Sequence, residues 1–267
     1  MSKSRCVIVP IYKVTDLENN SYSLRLHISK GDAFEQIWSK REVLQSEMVW
    51  VEGAQKPFIP TIEDARAVGE MIGKLHRQSS TWQIPGSFER PACDGSRILQ
   101  SLNMLKERAN TGLLDAGDTE LLLHAGERII NLMNSIERTT SNWGMIHADL
   151  IPNNLLFYEQ EVRPIDFGAC GFGYYLFDLG WTFSYIHPAF REQLLQSYSN
   201  YHLLPGNYIE LLEGFFVAGQ LETMNFWLGL PDSQEWLPEH IGRLASREIY
   251  AYVNNESFLF GGVPHWE

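Results

Sequence analysis

Long apolar runs are the first thing this chain does without. No stretch approaches the roughly 18 consecutive apolar residues of a membrane span, so a membrane protein is not expected. Cysteine is scarce as well: Cys6, Cys93 and Cys170 are odd in number, far apart and contain no CxxC pair. That argues against a disulfide framework or a zinc site and fits a reducing cytosol. The opening stretch "MSKSRCVIVPIYKV" has an apolar run too short for a signal-peptide core and no small-residue cleavage site, so a cytoplasmic location is expected. Positive charge is in deficit, with 21 Lys and Arg against 33 Asp and Glu and a net charge of −12. A surface of that sign disfavours nucleic acid or an anionic membrane as a partner. Repeats and low-complexity tracts are absent.

What is present is a globular composition, 44% apolar, in 267 residues: room for one large domain or two small ones with a substantial core. "VIVPIYKV" and "SYSLRLHIS" are β-type runs joined by the turn-forming "TDLENN". In the second run Leu24, Leu26 and Ile28 alternate with Arg25, His27 and Ser29, which places the two sets on opposite faces. Phe34, Ile37, Trp38, Leu44 and Met48 then recur at helical spacing until "PFIP" ends the pattern. Thr61 followed by Asp64 is a near-capping box, and an amphipathic helix is expected from there to His76. A Pro/Gly/Ser-rich loop spans about 79–96. Helices are expected at 97–110 and 117–138, a strand pair at 154–166, and a helical pattern from "LFDLGWTFSYI" onward with breaks at Pro188, Pro205-Gly206 and Pro231. The outline is α+β, with a short β-containing part at 1–53 and a mainly helical body at 54–267.

Between Ile146 and Leu155 the chain crowds polar side chains between apolar flanks, in "GMIHADLIPNNLLF". Asp149 and Asn154 stand five apart, and Asp166 follows a strand-turn-strand in "IDFG". Two carboxylates and an amide in that order suit phosphoryl transfer from ATP. One carboxylate, Asp149, orients the acceptor hydroxyl and takes its proton, while Asn154 and Asp166 offer oxygen ligands to Mg²⁺. The rival readings are turn caps at Asp149 and Asn154, or a metal site begun by His147 and Asp149, for which no further histidine stands nearby at ligand spacing. His147 reads as structural, packing on the Asp166 turn. "GACGFG" lacks a lysine and follows the aspartate, so it reads as a flexible segment leading into the next helix and not as a phosphate loop.

"HADLIPNNLLF", "PIDFGACGFGYYLFDLGWTF" and "GEMIGKLHRQ" resemble the aminoglycoside phosphotransferase family, also called the phosphotransferase enzyme family, and look closest to its homoserine-kinase and stress-response Ser/Thr-kinase branch. The resemblance covers the chain from about residue 22. It implies a protein-kinase-like bilobal fold with a reduced N-terminal β lobe, ATP and Mg²⁺ as cofactors, and a hydroxyl acceptor on a small molecule, amino-alcohol-like or otherwise cationic, or on a protein Ser/Thr. Asp178, in "FDLG", would brace the catalytic loop. "YSLRLH" resembles the small-lobe strand that carries the phosphate-pairing cation, here Arg25, whose acidic partner would be Glu47, with Glu42 as second choice. Arginine keeps the charge and adds a bidentate fork. "VEGAQ" resembles the hinge between lobes, placing Trp50 and Val51 beside the nucleotide. A glycine-rich loop before Arg25 and two central small-lobe strands are not represented. The alternative function is therefore a catalytically impaired pseudokinase serving as a nucleotide- or partner-binding module. Acceptor pockets in such folds are built by the variable helices, here 97–138 and 190–260; the acids Glu210, Glu213 and Glu222 on them suit a cationic acceptor and are equally well explained as solvated faces.

Overall fold

The computed structural model describes residues 11–15, 21–25, 51–86, 88–230, 232–261 and 264. The chain divides into two compact units, 1–52 and 53–267. In the first, β1 (Ile11–Thr15) and β2 (Ser21–Arg25) form an antiparallel pair, in register from Ile11 opposite Arg25 to Thr15 opposite Ser21. The helical pattern at 34–48 lies outside the described residues, as do Glu42, Glu47 and Trp50.

The second unit is a helical body with small sheets set into it. Helix α1 (Ile62–Thr81) starts at the Thr61 cap, whose hydroxyl accepts from the Asp64 amide at 3.1 Å, and runs five residues past His76. Its buried stripe, including Ala65, Val68, Ile72 and His76, repeats at three- and four-residue steps and packs on α5 (Pro188–Ser199). Pro188 is the first residue of that helix, where a missing N–H costs nothing. Helices α2 (Gly95–Ala109) and α3 (Ala116–Ser135) are capped by Asp94 and Asp115 and pack on each other.

At the centre lies α4 (Tyr175–Thr182), buried on all sides. Helix α6 (Tyr208–Leu228) crosses it closely, because Gly180 has no side chain: a Cβ there would lie 2.5 Å from the Phe215 carbonyl carbon. Helix α7 (Ser233–Leu244), a π-helical turn at Ala245–Ile249 and α8 (Tyr250–Val253) close the body. No described helix is long and apolar enough to cross a membrane.

The glycine-rich segment departs from expectation. Gly171–Tyr174 is strand β7, the middle of a three-stranded sheet, parallel to β3 (Ala92–Cys93) and antiparallel to β4 (Trp143–Ile146). Its glycines answer to close strand approach. A Cβ on Gly171 would lie 2.3 Å from the Pro91 carbonyl oxygen, and one on Gly173 2.4 Å from the end of the Ile146 side chain. The Gly171–Gly173 half of "GACGFG" is thus strand ladder and not a flexible leader, while Gly168 and Ala169 lie in a 3-10 turn at Phe167–Ala169. The hairpin of β5 (Leu155–Tyr158) and β6 (Glu161–Pro164) supplies the strand pair expected at 154–166.

Candidate active site

Strand β4 delivers the chain into a loop that begins with a left-handed residue, Ala148, at φ 63°. A side chain in that conformation costs about 1–2 kcal/mol, so something must hold it. Asp178 does: one carboxylate oxygen accepts the His147 amide at 2.9 Å and the other accepts the Ala148 amide at 2.8 Å. Asp178 is fully buried on α4, and its charge is shared with His76, whose Nε2 donates to it at 3.2 Å. The hydroxyl of Tyr198 donates in turn to His76 Nδ1 at 3.0 Å, and the ring of His76 stacks on Tyr175 at 4.7 Å. In the sequence His76 marks the end of the expected amphipathic helix and falls inside the "GEMIGKLHRQ" stretch, with no role assigned to it.

His147 ties this loop to the next motif. Its Nε2 donates to the Ile165 carbonyl at 3.0 Å and its ring lies 4.7 Å from that of Phe167. Its Nδ1 is buried without a hydrogen-bond partner.

After Asp149 the chain makes a 3-10 turn at Pro152–Asn154. The Asn154 amide nitrogen donates back to the Asp149 carbonyl at 2.9 Å and to its carboxylate at 2.8 Å. The Ile165 amide donates to the Asn154 carbonyl at 2.9 Å, so the return of the hairpin is fastened to the same turn. Asp166 follows at φ 60°, ψ 62°, a second left-handed residue. A Cβ on Gly168 would come within 3.2 Å of its Oδ1, so the glycine leaves this carboxylate its space. These hydrogen bonds bring His147, Asp149, Asn154 and Asp178 together, with Asp166 next in sequence to the bonded Ile165.

The electrostatics single out Asp149. Burial pushes its carboxyl above the usual range, and the charge of Asp166 adds to that; the Asn154 amide, the His147 ring and the Trp181 indole pull the other way. Burial, then the charge of Asp149, pushes Tyr185 well up. Trp181 and Tyr185 meet edge to face at 5.5 Å. Neither residue was singled out from the sequence, since aromatic positions in an apolar run look like core.

Arg25 ends β2 in the first unit, Val51 is half-buried, and Glu47 and Trp50 fall outside the described residues. The residue types suit a hard divalent cation: both protons of the Asn154 amide are directed at Asp149, so its oxygen is the atom that would coordinate, and Asp166 adds a carboxylate one residue past the Ile165–Asn154 bond. Among the described residues no group of three or more His, Cys, Asp or Glu side chains is arranged to hold a metal. Two protein oxygens are nonetheless what an ion needs that takes the rest of its shell from phosphates and water.

Among curated proteins no sequence relative matches the chain. Solved structures share its fold at low identity. A microcompartment-associated aminopropanol kinase aligns with a TM-score of 0.68 at 20% identity over 92% of this chain and 91% of that one. An amicoumacin kinase in complex with AMP-PNP, Ca²⁺ and amicoumacin gives 0.61 at 14% identity over 96% and 88%. An ethanolamine kinase of Plasmodium vivax gives 0.57 at 13% identity over 94% and 81%. These likenesses show an α+β, protein-kinase-like bilobal fold. The profile of the phosphotransferase enzyme family matches residues 54–209, from the start of the helical body through the loop, the hairpin and α4 to the first residues of α6. The chain belongs to the phosphotransferase enzyme family.

Proposed function

We propose that this protein is an ATP- and Mg²⁺-dependent kinase that transfers the γ-phosphoryl group to a hydroxyl of a small, amine-bearing molecule. The observation that carries the reading is Asp149: a carboxylate pinned by the Asn154 amide, raised by burial, and set beside Asp166 on a loop that Asp178 holds in place. Such a group orients the acceptor hydroxyl and accepts its proton as the oxygen attacks the γ-phosphorus. A raised carboxyl is the better base, and the Asn154 amide fixes which of its oxygens faces the acceptor. Asn154 and Asp166 would hold Mg²⁺, which when bound neutralises charge on the phosphates. His147 and Asp178 support the loop without touching substrate.

Residues 1–53 would form the nucleotide-side lobe, with Arg25 pairing the phosphates, Glu47 orienting Arg25, and Trp50 and Val51 lining the hinge. Residues 54–267 would form the acceptor-side lobe. The kinases of similar fold that act on aminopropanol and ethanolamine support an amino alcohol or a related amine as acceptor class.

The test is ATP consumption against amino alcohols, hydroxy amino acids, aminoglycosides and a generic protein substrate, run beside two variants. Asp149→Asn should lower turnover by roughly 10²–10⁴-fold with Mg-ATP binding nearly intact, since its charge matters when the proton leaves. Asp166→Ala should weaken Mg-ATP binding itself, felt in the ground state as well as the transition state. Equal loss of nucleotide binding in both variants, with turnover unchanged, would refute the assignment. No thermal shift of the parent protein at millimolar Mg-ATP would favour the non-catalytic module, because a ligand of the native state raises Tm by mass action.

A further inference from the structure

Helix α4 grips the loop at a second point, which the chemistry described so far leaves without a task. Thr182 closes the helix, is 0% exposed, and stands four residues after Asp178, hence on the same face. A threonine hydroxyl in a helix ordinarily falls back on the carbonyl four residues earlier in its own helix. Here it is given to the loop instead: Thr182 Oγ1 donates to the Leu150 carbonyl at 3.1 Å. Helix α4 therefore holds the chain on both sides of Asp149, at the amides of His147 and Ala148 and at the carbonyl of Leu150. Leu150 is fully buried, so water does not compete for that carbonyl.

The other end of the same peptide unit is bound as well. Its N–H, that of Ile151, donates to the Asp149 carbonyl at 2.9 Å and closes a three-residue turn around Leu150. Ile151 precedes Pro152 and is extended at φ −97°, ψ 159°, as a residue in that position must be. The Asp149 carbonyl takes a second donor, the Asn154 amide nitrogen at 2.9 Å, which also donates to the Asp149 carboxylate at 2.8 Å. An unbroken run of hydrogen bonds thus leads from the Thr182 hydroxyl to the Asp149 carboxylate, through the Leu150–Ile151 peptide, the Asp149 carbonyl and Asn154. Asn154 has anchors of its own. Its backbone amide donates to the Ile151 carbonyl at 2.8 Å, and its carbonyl accepts from the Ile165 amide at 2.9 Å. Release of the Thr182 bond should turn Asp149 more than it moves Asn154.

Resting on the phosphotransfer reading, we propose that Thr182 is a positioning residue for the reaction. It fixes the peptide that follows Asp149, and with it the direction in which the carboxylate faces the acceptor hydroxyl. Thr182 acts through the loop backbone and not on the reacting atoms.

The experiment compares Thr182→Val, which keeps the shape and removes the hydroxyl, with Thr182→Ser, which keeps the hydroxyl on a smaller side chain. Hydrogen exchange of the Ile151 amide is followed by NMR, and kcat and KM are taken from ATP consumption with the best acceptor of the parent. In Thr182→Val the Ile151 amide should exchange about tenfold faster, the margin of one hydrogen bond. Its kcat should fall by about 10–100-fold, because a displacement near 1 Å at a reacting group is enough for that. KM for ATP and calorimetric Mg-AMP-PNP affinity should not change, and Thr182→Ser should restore both exchange and kcat. A generic packing loss behaves otherwise: it lowers turnover and the number of nucleotide-binding sites together, so kcat per site stays constant. Should the valine variant not fold, Thr182→Ala takes its place. There a water can satisfy the Leu150 carbonyl but is not attached to α4, so kcat per site should still fall. Parent-like kcat in the valine or alanine variant, or a fall that serine does not reverse, would overturn the inference. The two readings fail separately. A parent protein that consumes no ATP with any acceptor sinks phosphotransfer and with it a part in the reaction, while faster Ile151 exchange leaves the hold on the Asp149 turn standing. Asp149-dependent turnover that Thr182→Val leaves untouched sinks the positioning role alone.

Discussion

Replacing Asp178 by alanine takes the acceptor away from three donors at once: the His147 amide at 2.9 Å, the Ala148 amide at 2.8 Å and His76 Nε2 at 3.2 Å. The side chain is 0% exposed, so water has no ready route to replace it. A buried donor left unsatisfied costs about 1–3 kcal/mol, and three donors lose their acceptor here. Some of this returns when the loop lets Ala148 leave its left-handed conformation, a relief of about 1–2 kcal/mol. A net loss of about 4 kcal/mol follows, a large share of the roughly 5–15 kcal/mol that holds a folded domain together. At about 2–4 °C per kcal/mol for a unit of this size, Tm should fall by about 8–16 °C. Asp178→Asn keeps the volume but turns an NH₂ toward one of the two amides, so it should lose about half as much. Thermal melts followed by circular dichroism give the shift, and hydrogen exchange at the His147 and Ala148 amides locates it. If Asp178→Ala melts within about 2 °C of the parent and both amides stay protected, the bracing argument is wrong.

Two further outcomes follow from the same geometry. Because burial raises the folded-state pKa of Asp149, its ionised form lowers stability once pH exceeds that raised value, and the cost vanishes below the ordinary aspartate range of about 3.9. Asp149→Asn should therefore raise Tm at pH 7, with the gain fading as pH falls toward 3.5; a gain independent of pH would contradict the assignment of that shift to burial of charge. Gly180→Ala drives a Cβ into the backbone at Phe215 and Phe216 and should cost about 3 kcal/mol, whereas Gly206→Ala meets no atom within 4 Å and should stay within about 0.5 kcal/mol in urea titrations. Similar values for the two would mean that the α4–α6 crossing yields more readily than its spacing implies.

Much of the loop's arrangement was legible before any coordinates, for a physical reason. Asp149, Asn154 and Asp166 are set by short-range connectivity, a five-residue turn and one hairpin, so their order along the chain already encodes their convergence. The helices α1 to α3 were legible because an amphipathic stripe and a capping residue are local properties. Other features depended on which surfaces meet. "GACGFG" offered flexibility as its local meaning, and only the approach of Pro91 and Ile146 turns Gly171 and Gly173 into a strand requirement. His76 and Asp178 stand 102 residues apart, and Arg97 and Glu222 stand 125 apart. No periodicity links such pairs, because a hydrogen bond between distant elements is decided by helix crossing and burial. The sequence by itself determined the chemistry carried on the loop. The tertiary structure alone decided what braces that loop, since the Asp178 and His76 bonds depend on packing between elements far apart in the chain.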